Sequence, residues 1–159
     1  MSVRIRPATP DDAAAIARLH LRTHRATYAP LIDGPYQAPP FSRRLADWRS
    51  MLDGPGLSFV ATEDDVIVGF IHAGGERIEP LHVAPSHHRR GLGRALLLQV
   101  LDGLRARGVP SAIFNVFEPN ARAIAFYEAL GAQRVGIETM TDAPVPYQDV
   151  VFRIGTAAT

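Results

Sequence analysis

Apolar residues recur along the chain at two spacings, and each change of spacing marks another element. Ala13, Ile16, Leu19 and His20 share one helical face after the helix-start signal of residues 9–12. Other stretches are short apolar or alternating runs bounded by glycine, proline and aspartate. The predicted helices cover residues 10–26, 41–52, 92–104 and 120–130. The predicted strands cover residues 3–6, 57–62, 66–73, 76–83, 112–117, 132–140 and 147–154.

This order of elements predicts a layered α/β (α+β) fold. Residues 57–83 contain three consecutive predicted strands with short turns, which is typical of an antiparallel meander. We expect a mixed, mostly antiparallel central sheet of about seven strands with helices on both faces. At 159 residues the chain is expected to form one domain over residues 1–155, with a disordered tail at residues 156–159.

Residues 88–95 have the clearest chemistry in the chain. They read His-Arg-Arg-Gly-Leu-Gly-Arg-Ala and lie between a predicted strand and a predicted helix. Free N–H groups and the dipole at a helix N-terminus favour an anion, and glycine allows a close approach of the backbone. The stretch contains three arginines, and no Asp or Glu occurs between Pro80 and Leu101. The pattern predicts a phosphate or pyrophosphate site.

Composition excludes several classes of function. The net charge of +1 argues against a general nucleic-acid binder. No apolar run approaches the roughly 20 residues of a membrane span, and the first residues lack an apolar signal core, so a cytoplasmic protein is expected. Because the chain has no cysteine and all 17 of its Lys/Arg residues are arginine, acyl-cysteine, Schiff-base and P-loop lysine chemistry are excluded.

Two motifs support a more specific hypothesis. Residues 88–93 read His-x-x-Gly-x-Gly, and residues 120–132 read Asn-x-x-Ala-x-x-Phe-Tyr-x-x-x-Gly-Ala. Together they resemble the two signatures of the GCN5-related N-acetyltransferase (GNAT) family. His88 stands where the family has Gln or Arg, and Ala132 replaces the usual aromatic residue. The resemblance spans essentially the whole chain and implies the GNAT fold, acetyl-CoA as cosubstrate and N-acetyltransferase activity.

The resemblance also implies where the coenzyme binds. Acetyl-CoA would lie between the fourth and fifth strands, which splay apart in this family. Its pantetheine arm would contact backbone near Leu81, His82 and Val83, with the Val83 N–H polarising the thioester carbonyl. Asn120 would contact the coenzyme arm, and a plain helix N-cap is the compatible alternative. The pyrophosphate would lie on the turn formed by His88, Arg89, Arg90, Gly91, Leu92, Gly93 and Arg94.

Two residues are the implied catalytic groups. Tyr127 matches the general acid of the family, which returns a proton to the departing thiolate of coenzyme A, and a core aromatic is the alternative. Glu79 is the candidate base for the acceptor amine. His82 and an ordered water chain are the other candidates. A regular strand would place His82 and Glu79 on opposite faces, unless a bulge intervenes.

The remaining predictions concern metal, acceptor and assembly. No metal site is expected, because His87 and His88 are adjacent and no second ligand cluster has recognisable spacing. The acceptor is expected to be an amine of a small molecule or peptide, with direct transfer, and its identity has no readable motif. A non-catalytic acyl-CoA-binding module is the alternative function. Family members commonly dimerise, so a homodimer is one option.

The acceptor pocket is expected from family architecture. Residues 25–48 and the loop near residues 142–147 would form it. Its aromatic walls, which could equally belong to the core, are Tyr28, Tyr36, Trp48 and Tyr147.

Overall fold

The computed structural model describes residues 2–157, and the predicted order of elements is confirmed. The strands are β1 (Val3–Pro7), β2 (Leu57–Glu63), β3 (Val66–Gly74), β4 (Arg77–Val83), β5 (Ser111–Phe117), β6 (Gln133–Met140) and β7 (Tyr147–Gly155). The helices are α1 (Ala13–Tyr28), α2 (Phe41–Asp53), α3 (Leu92–Ala106) and α4 (Ala121–Ala129). Short 3₁₀ turns precede α1 and α3, at Pro10–Asp12 and Pro85–His87.

The strands form one seven-stranded mixed sheet in the order β1-β2-β3-β4-β5-β7-β6. Neighbouring strands run antiparallel, with the exception of the parallel pair β4 and β5. Helices α3 and α4 pack on one face, and α1 and α2 pack on the other. The predicted fold class, with about seven strands and helices on both faces, is therefore confirmed.

Alternation along β2 and β3 supplies side chains to two separate cores. Ala61 and Ile71 join the larger core beneath α3, in which Leu96 is fully buried. Val60 and Phe70 point to the opposite face and join the smaller core beneath α1 and α2. Full burial of a side chain such as Phe70 contributes roughly 1.5–3 kcal/mol, so both helical layers are firmly attached to the sheet.

The parallel strands β4 and β5 are paired near the start of β4 and then separate. Arg77 of β4 lies opposite Ile113 of β5, and the Ile113 N–H donates to the Glu76 carbonyl at 2.9 Å. The rest of β4 runs on alongside β3, and β5 continues alongside β7. The two strands therefore diverge toward their C-terminal ends and leave a slot in the middle of the sheet.

The backbone of β4 is oriented toward this slot. The Ala84 N–H donates to the Val68 carbonyl at 2.8 Å, so Ala84 bonds toward β3. Along an antiparallel strand, successive residues direct their N–H and C=O groups to opposite sides. The N–H groups of Val83 and Leu81 therefore point away from β3 and into the slot.

A bulge interrupts β4. Ile71 of β3 lies opposite Leu81, whereas Ala73 lies opposite Ile78. Three residues of β4 thus span the distance that two residues of β3 span, and the extra residue lies at Glu79 or Pro80. Such a bulge shifts the alternation of side chains by one position.

The C-terminal boundary differs from the prediction. Thr156 was assigned to the tail, but its side chain is buried. Its hydroxyl donates to the Val109 carbonyl at 2.6 Å, and its N–H donates to the Pro110 carbonyl at 3.1 Å. These bonds extend the ordered chain beyond residue 155. Residues 158 and 159 lie outside the described part of the chain.

Candidate active site

The turn between β4 and α3 offers a set of backbone donors. Arg89 and Gly91 adopt φ angles of 63° and 77°, in the left-handed region that favours glycine. The first intrahelical bond of α3 runs from the Ala95 N–H to the Gly91 carbonyl at 3.0 Å. The N–H groups of residues 91–94 therefore precede the helical ladder and have no partner within it. With the helix dipole, they fit a phosphate group.

The three arginines of the turn have different surroundings. Arg90 donates to Glu63 of β2 at 2.7 Å, and His87 contacts the other oxygen of the same carboxylate at 3.1 Å. These two contacts hold the pKa of Glu63 below its usual range. Within residues 2–157, Arg89 and Arg94 form no salt bridge. Among the three arginines of the turn, Arg89 and Arg94 therefore have no carboxylate partner in this part of the chain.

His88 has a contact that the sequence did not predict. The side chain Nε2–H donates to the Val83 carbonyl at 2.9 Å. Burial lowers the pKa of His88, which keeps the ring neutral with its proton on Nε2. The bond holds the end of β4 to the start of the turn.

Leu92 and Gly93 contribute packing at the start of α3. The Leu92 side chain is buried in the larger core, so only its backbone is available to a ligand. A Cβ added at Gly93 would lie 3.3 Å from the Phe126 ring. Glycine at this position therefore allows α3 and α4 to approach closely.

Asn120 is the N-cap of α4. Its side-chain oxygen accepts from the Ala123 N–H at 3.2 Å, which confirms the structural role that its neighbours predict. The amide nitrogen is not used in this bond. Contact between that nitrogen and the coenzyme stays a prediction.

Tyr127 lies on α4 and is partly buried. Its ring is 4.2 Å from the Phe114 ring and 5.1 Å from the Phe126 ring, measured between centroids. Burial, with a smaller effect from Tyr28, raises the pKa of the Tyr127 hydroxyl. The hydroxyl therefore keeps its proton at neutral pH. The ring belongs to the core, and this does not conflict with a role for the hydroxyl.

Three histidines form a cluster between α1 and β4. The rings of His20 and His82 are 5.2 Å apart, and those of His24 and His82 are 6.3 Å apart. The Trp48 Nε1–H donates to His20 Nδ1 at 3.0 Å, and the Trp48 side chain is fully buried. Trp48 is therefore a core residue rather than a pocket wall. His24 is also hydrogen-bonded to the Tyr36 hydroxyl.

The histidines of this cluster are weak bases. Burial, together with nearby positive charge, lowers the pKa of His20 to about 2, that of His82 to about 3 and that of His24 to about 4. All three rings are neutral at physiological pH. A base with a pKa near 3 takes a proton from an amine poorly, which weakens the case for His82 as the base.

Glu79 and His82 face the same layer of helices because of the bulge in β4. His82 packs against His20 of α1, and Glu79 faces the same side because its neighbour Ile78 points into the larger core beneath α3. The pKa of Tyr28, also on α1, is raised to about 12, mainly by burial, with smaller effects from Asp149 and Glu79. The Glu79 side chain is exposed, at the edge of this cluster. The bulge thus makes Glu79 available on the α1 side.

Polar residues of β5, which borders the slot, and of the next strand, β7, were missed by the sequence analysis. Asn115 donates to Asp149 at 3.3 Å and accepts from Arg77 at 3.0 Å. Asp149 is buried, and burial raises the pKa of its carboxyl group. Asn115 could have been noticed as a polar residue within an apolar strand. Asp149 gave no such signal, since it lies near the start of its strand.

Aromatic rings connect the two sides of the slot. Tyr28 of α1 and Tyr147 of β7 flank Phe117 of β5, at centroid distances of 5.7 and 5.6 Å. Tyr28 is also 4.4 Å from the His24 ring. Three of the predicted pocket aromatics, Tyr28, Tyr36 and Tyr147, are thus connected through the rings of His24 and Phe117.

Two absences concern the described residues. Residues 2–157 contain no group of three or more His, Cys, Asp or Glu side chains that could hold a metal ion. Over the same range, the helices are too short or too polar to cross a membrane.

A comparison with known families agrees with this geometry. The acetyltransferase (GNAT) family model matches residues 14–132. The chain belongs to this family. The match includes β4, the turn, α3 and α4, so the GNAT resemblance of the two motifs is confirmed.

The chain is similar to curated GNAT relatives with different names. It is 36% identical over 112 residues to mycothiol acetyltransferase of Thermomonospora curvata, covering 67% of this chain and 36% of that protein. It is 51% identical over 49 residues to the [ribosomal protein bS18]-alanine N-acetyltransferase of Escherichia coli, covering 31% of this chain and 33% of that protein. The matched segments span about a third of the length of these relatives.

The GNAT fold is also recognised in solved structures. An N-acetyltransferase from Thermoplasma acidophilum, in complex with coenzyme A, matches with a TM-score of 0.75 and 18% identity. The match covers 98% of this chain and 99% of that chain. At this identity the likeness shows a shared fold.

Proposed function

We propose that this chain is an N-acetyltransferase that moves acetyl from acetyl-CoA directly to a primary amine of a small molecule or peptide. The slot between β4 and β5, with a turn rich in free backbone donors at its end, is the observation that carries the proposal. Membership of the GNAT family supports it. The curated relatives are named for mycothiol and for an alanine of ribosomal protein bS18, so their names do not select one acceptor.

The slot and the turn fit the parts of acetyl-CoA. The N–H groups of residues 91–94 would hold the pyrophosphate, with charge supplied by Arg89 and Arg94. The Leu81 and Val83 backbones, which face the slot, would pair with the amide-containing pantetheine arm. The Val83 N–H would then lie at the thioester carbonyl and stabilise the negative charge that develops on its oxygen.

The reaction needs two proton transfers. The amine nitrogen forms a bond to the carbonyl carbon of acetyl-CoA, and the carbon–sulfur bond breaks. Glu79, directly or through water, would take the proton that the amine loses, since it is exposed on the α1 side. Tyr127 would give its proton to the departing thiolate of coenzyme A. Because the chain has no cysteine to carry the acetyl group, we expect direct transfer with both substrates bound together.

We also propose that one catalytic domain includes β1 to β7, in agreement with the single sheet. A cytoplasmic location and a homodimer stay predictions from the sequence.

Calorimetry with acetyl-CoA and an assay of free coenzyme A release over a panel of amines test the proposed function. We expect binding of acetyl-CoA and amine-dependent release of coenzyme A. Binding without release for any amine would favour the acyl-CoA-binding module instead. Absence of binding to the intact protein would contradict both functions.

A further inference from the structure

Arg44 of α2 forms no salt bridge within residues 2–157. Its side chain is half-buried, and its Nε atom is buried with no hydrogen-bond partner within residues 2–157. The neighbouring Arg43 is exposed and pairs with Asp47 at 3.6 Å. A buried polar atom without a partner is costly, so this one is expected to serve a ligand.

The position of Arg44 on its helix directs it toward the histidine cluster. Trp48 lies four residues later on α2, on the same face, and its indole contacts His20. Arg44 is also close enough to His24 and His82 to lower the pKa of both rings, although burial is the larger cause. Arg44 therefore lies one turn along α2 from Trp48, beside the rings that line the acceptor region.

The charges around this region are separated rather than paired. Glu79 lies near enough to Arg44 to act on its pKa, yet no salt bridge joins them within residues 2–157. Burial lowers the pKa of the Arg44 guanidinium, as expected for a cation that lacks an anionic partner. Arg44 and Glu79 thus lie on the same side of the sheet, and no salt bridge within residues 2–157 pairs them.

The elements that carry Glu79 and Arg44 determine where the two charges lie relative to the slot. Glu79 belongs to β4, four residues before Val83, whose N–H faces the slot. Arg44 belongs to α2, which packs on the α1 side of the sheet. An amine held near Glu79 would therefore be next to the slot, and a negative group of the same molecule would point to α2.

We propose that the acceptor bears a carboxylate beside its amine and that Arg44 binds this carboxylate, which makes a small amino-acid-like zwitterion the substrate class. This inference rests on the proposed acetyltransferase function. The planar guanidinium has five donors in a fork that matches a carboxylate. The neutral histidine and tyrosine side chains beside it surround the acceptor without competing for its charge.

A matched panel of acceptors tests this substrate class. Each α-amino acid is assayed beside its carboxamide and its decarboxylated amine, with release of free coenzyme A as the readout. For the intact enzyme we expect kcat/KM to be about 10- to 100-fold higher for the carboxylate form, because the other forms leave Arg44 unpaired. Arg44→Gln should abolish this preference through KM. Arg44→Lys should retain part of it, since the charge remains.

Arg43→Gln is the control, because Arg43 is the exposed neighbour of Arg44 on the same helix. It should keep the preference, and acetyl-CoA affinity should be unchanged in all three variants. Equal turnover of the three acceptor forms, or a preference that survives Arg44→Gln, would overturn the substrate class. Turnover of other amines but none of the amino acids would overturn it as well. Loss of turnover with every amine would instead contradict the proposed function.

Discussion

Single side chains around the slot combine structural and chemical tasks. The Tyr127 ring packs in the core while its hydroxyl keeps a proton that the proposed reaction needs. Asn120 caps α4 with its oxygen and retains its amide nitrogen. His88 uses its side chain to hold β4 to the turn. A useful substitution at these positions therefore removes either the structural role or the chemical role and leaves the other intact.

Tyr127→Phe separates the two tasks of Tyr127. The ring and its packing against Phe114 are retained, so the melting temperature should change little. If the hydroxyl protonates the thiolate, kcat should fall by about 100-fold or more, with little change in acetyl-CoA affinity. Steady-state kinetics and calorimetry measure the two effects. An equal loss of turnover and of coenzyme affinity would indicate a structural role only.

Predictions from the sequence were correct for single residues that act with their near neighbours in the chain. The Asn120 cap depends on the next three residues, and the positive φ of Gly91 depends on its own lack of a side chain. These predictions failed where the partner of a residue is distant along the chain. The pairing of Arg90 with Glu63 arises only when β2 and the turn come together. The Arg44 Nε is buried without a hydrogen-bond partner in residues 2–157 only once α2 packs on the sheet.

Among the elements, α3 shows how a helix connects core and site. One of its faces is buried beneath the sheet, and its first turn supplies the donors of the proposed pyrophosphate site. Its two ends both rely on glycine in the left-handed region, Gly91 at φ 77° and Gly108 at φ 80°. The hydrophobic period predicted the helix closely. The position of the bulge in β4 could not be predicted from the sequence, because it depends on the register with β3.

Gly91→Ala tests the turn, and Gly108→Ala is its matched control. At both positions an added Cβ meets nothing within 4 Å, so the cost is backbone strain alone, about 1–2 kcal/mol of unfolding free energy. Only Gly91→Ala should also weaken acetyl-CoA binding, because it shifts the donors of the turn. Denaturant unfolding and calorimetry give the two quantities. Equal coenzyme affinity in both variants would show that the turn does not bind the pyrophosphate.

The whole molecule consists of two cores on opposite faces of one sheet, with the slot at the place where the sheet opens. The order of elements and the sheet with helices on both faces followed from the sequence pattern. The histidine cluster did not, because its members belong to α1 and β4 and meet only in the folded sheet. Burial of these neutral rings makes the stability of the whole fold dependent on pH.

Stability should fall as the pH is lowered from about 6.5, the pKa of an unfolded histidine. The folded-state pKa values of His20, His24 and His82 lie near 2, 4 and 3, so the unfolded chain binds protons first. Each ring should then cost up to about 1.4 kcal/mol per pH unit as the pH falls toward 4. Melting temperatures from pH 7 to pH 4 measure this loss. His82→Gln should make it shallower, and a constant melting temperature down to pH 5 would contradict the burial of neutral rings.

Because Arg90 is paired with Glu63, it contributes less than Arg89 and Arg94 to the long-range attraction of the turn for an anion. The two side chains are 2.7 Å apart, so the charge of Arg90 adds little long-range attraction for an anion. Arg89 and Arg94 attract an approaching phosphate through solvent, where the screening length is about 10 Å at 0.1 M salt. Higher ionic strength should therefore slow capture of the coenzyme more than it speeds its escape. At high salt the backbone donors of the turn would still match the phosphate, whereas the long-range attraction of Arg89 and Arg94 would be weaker.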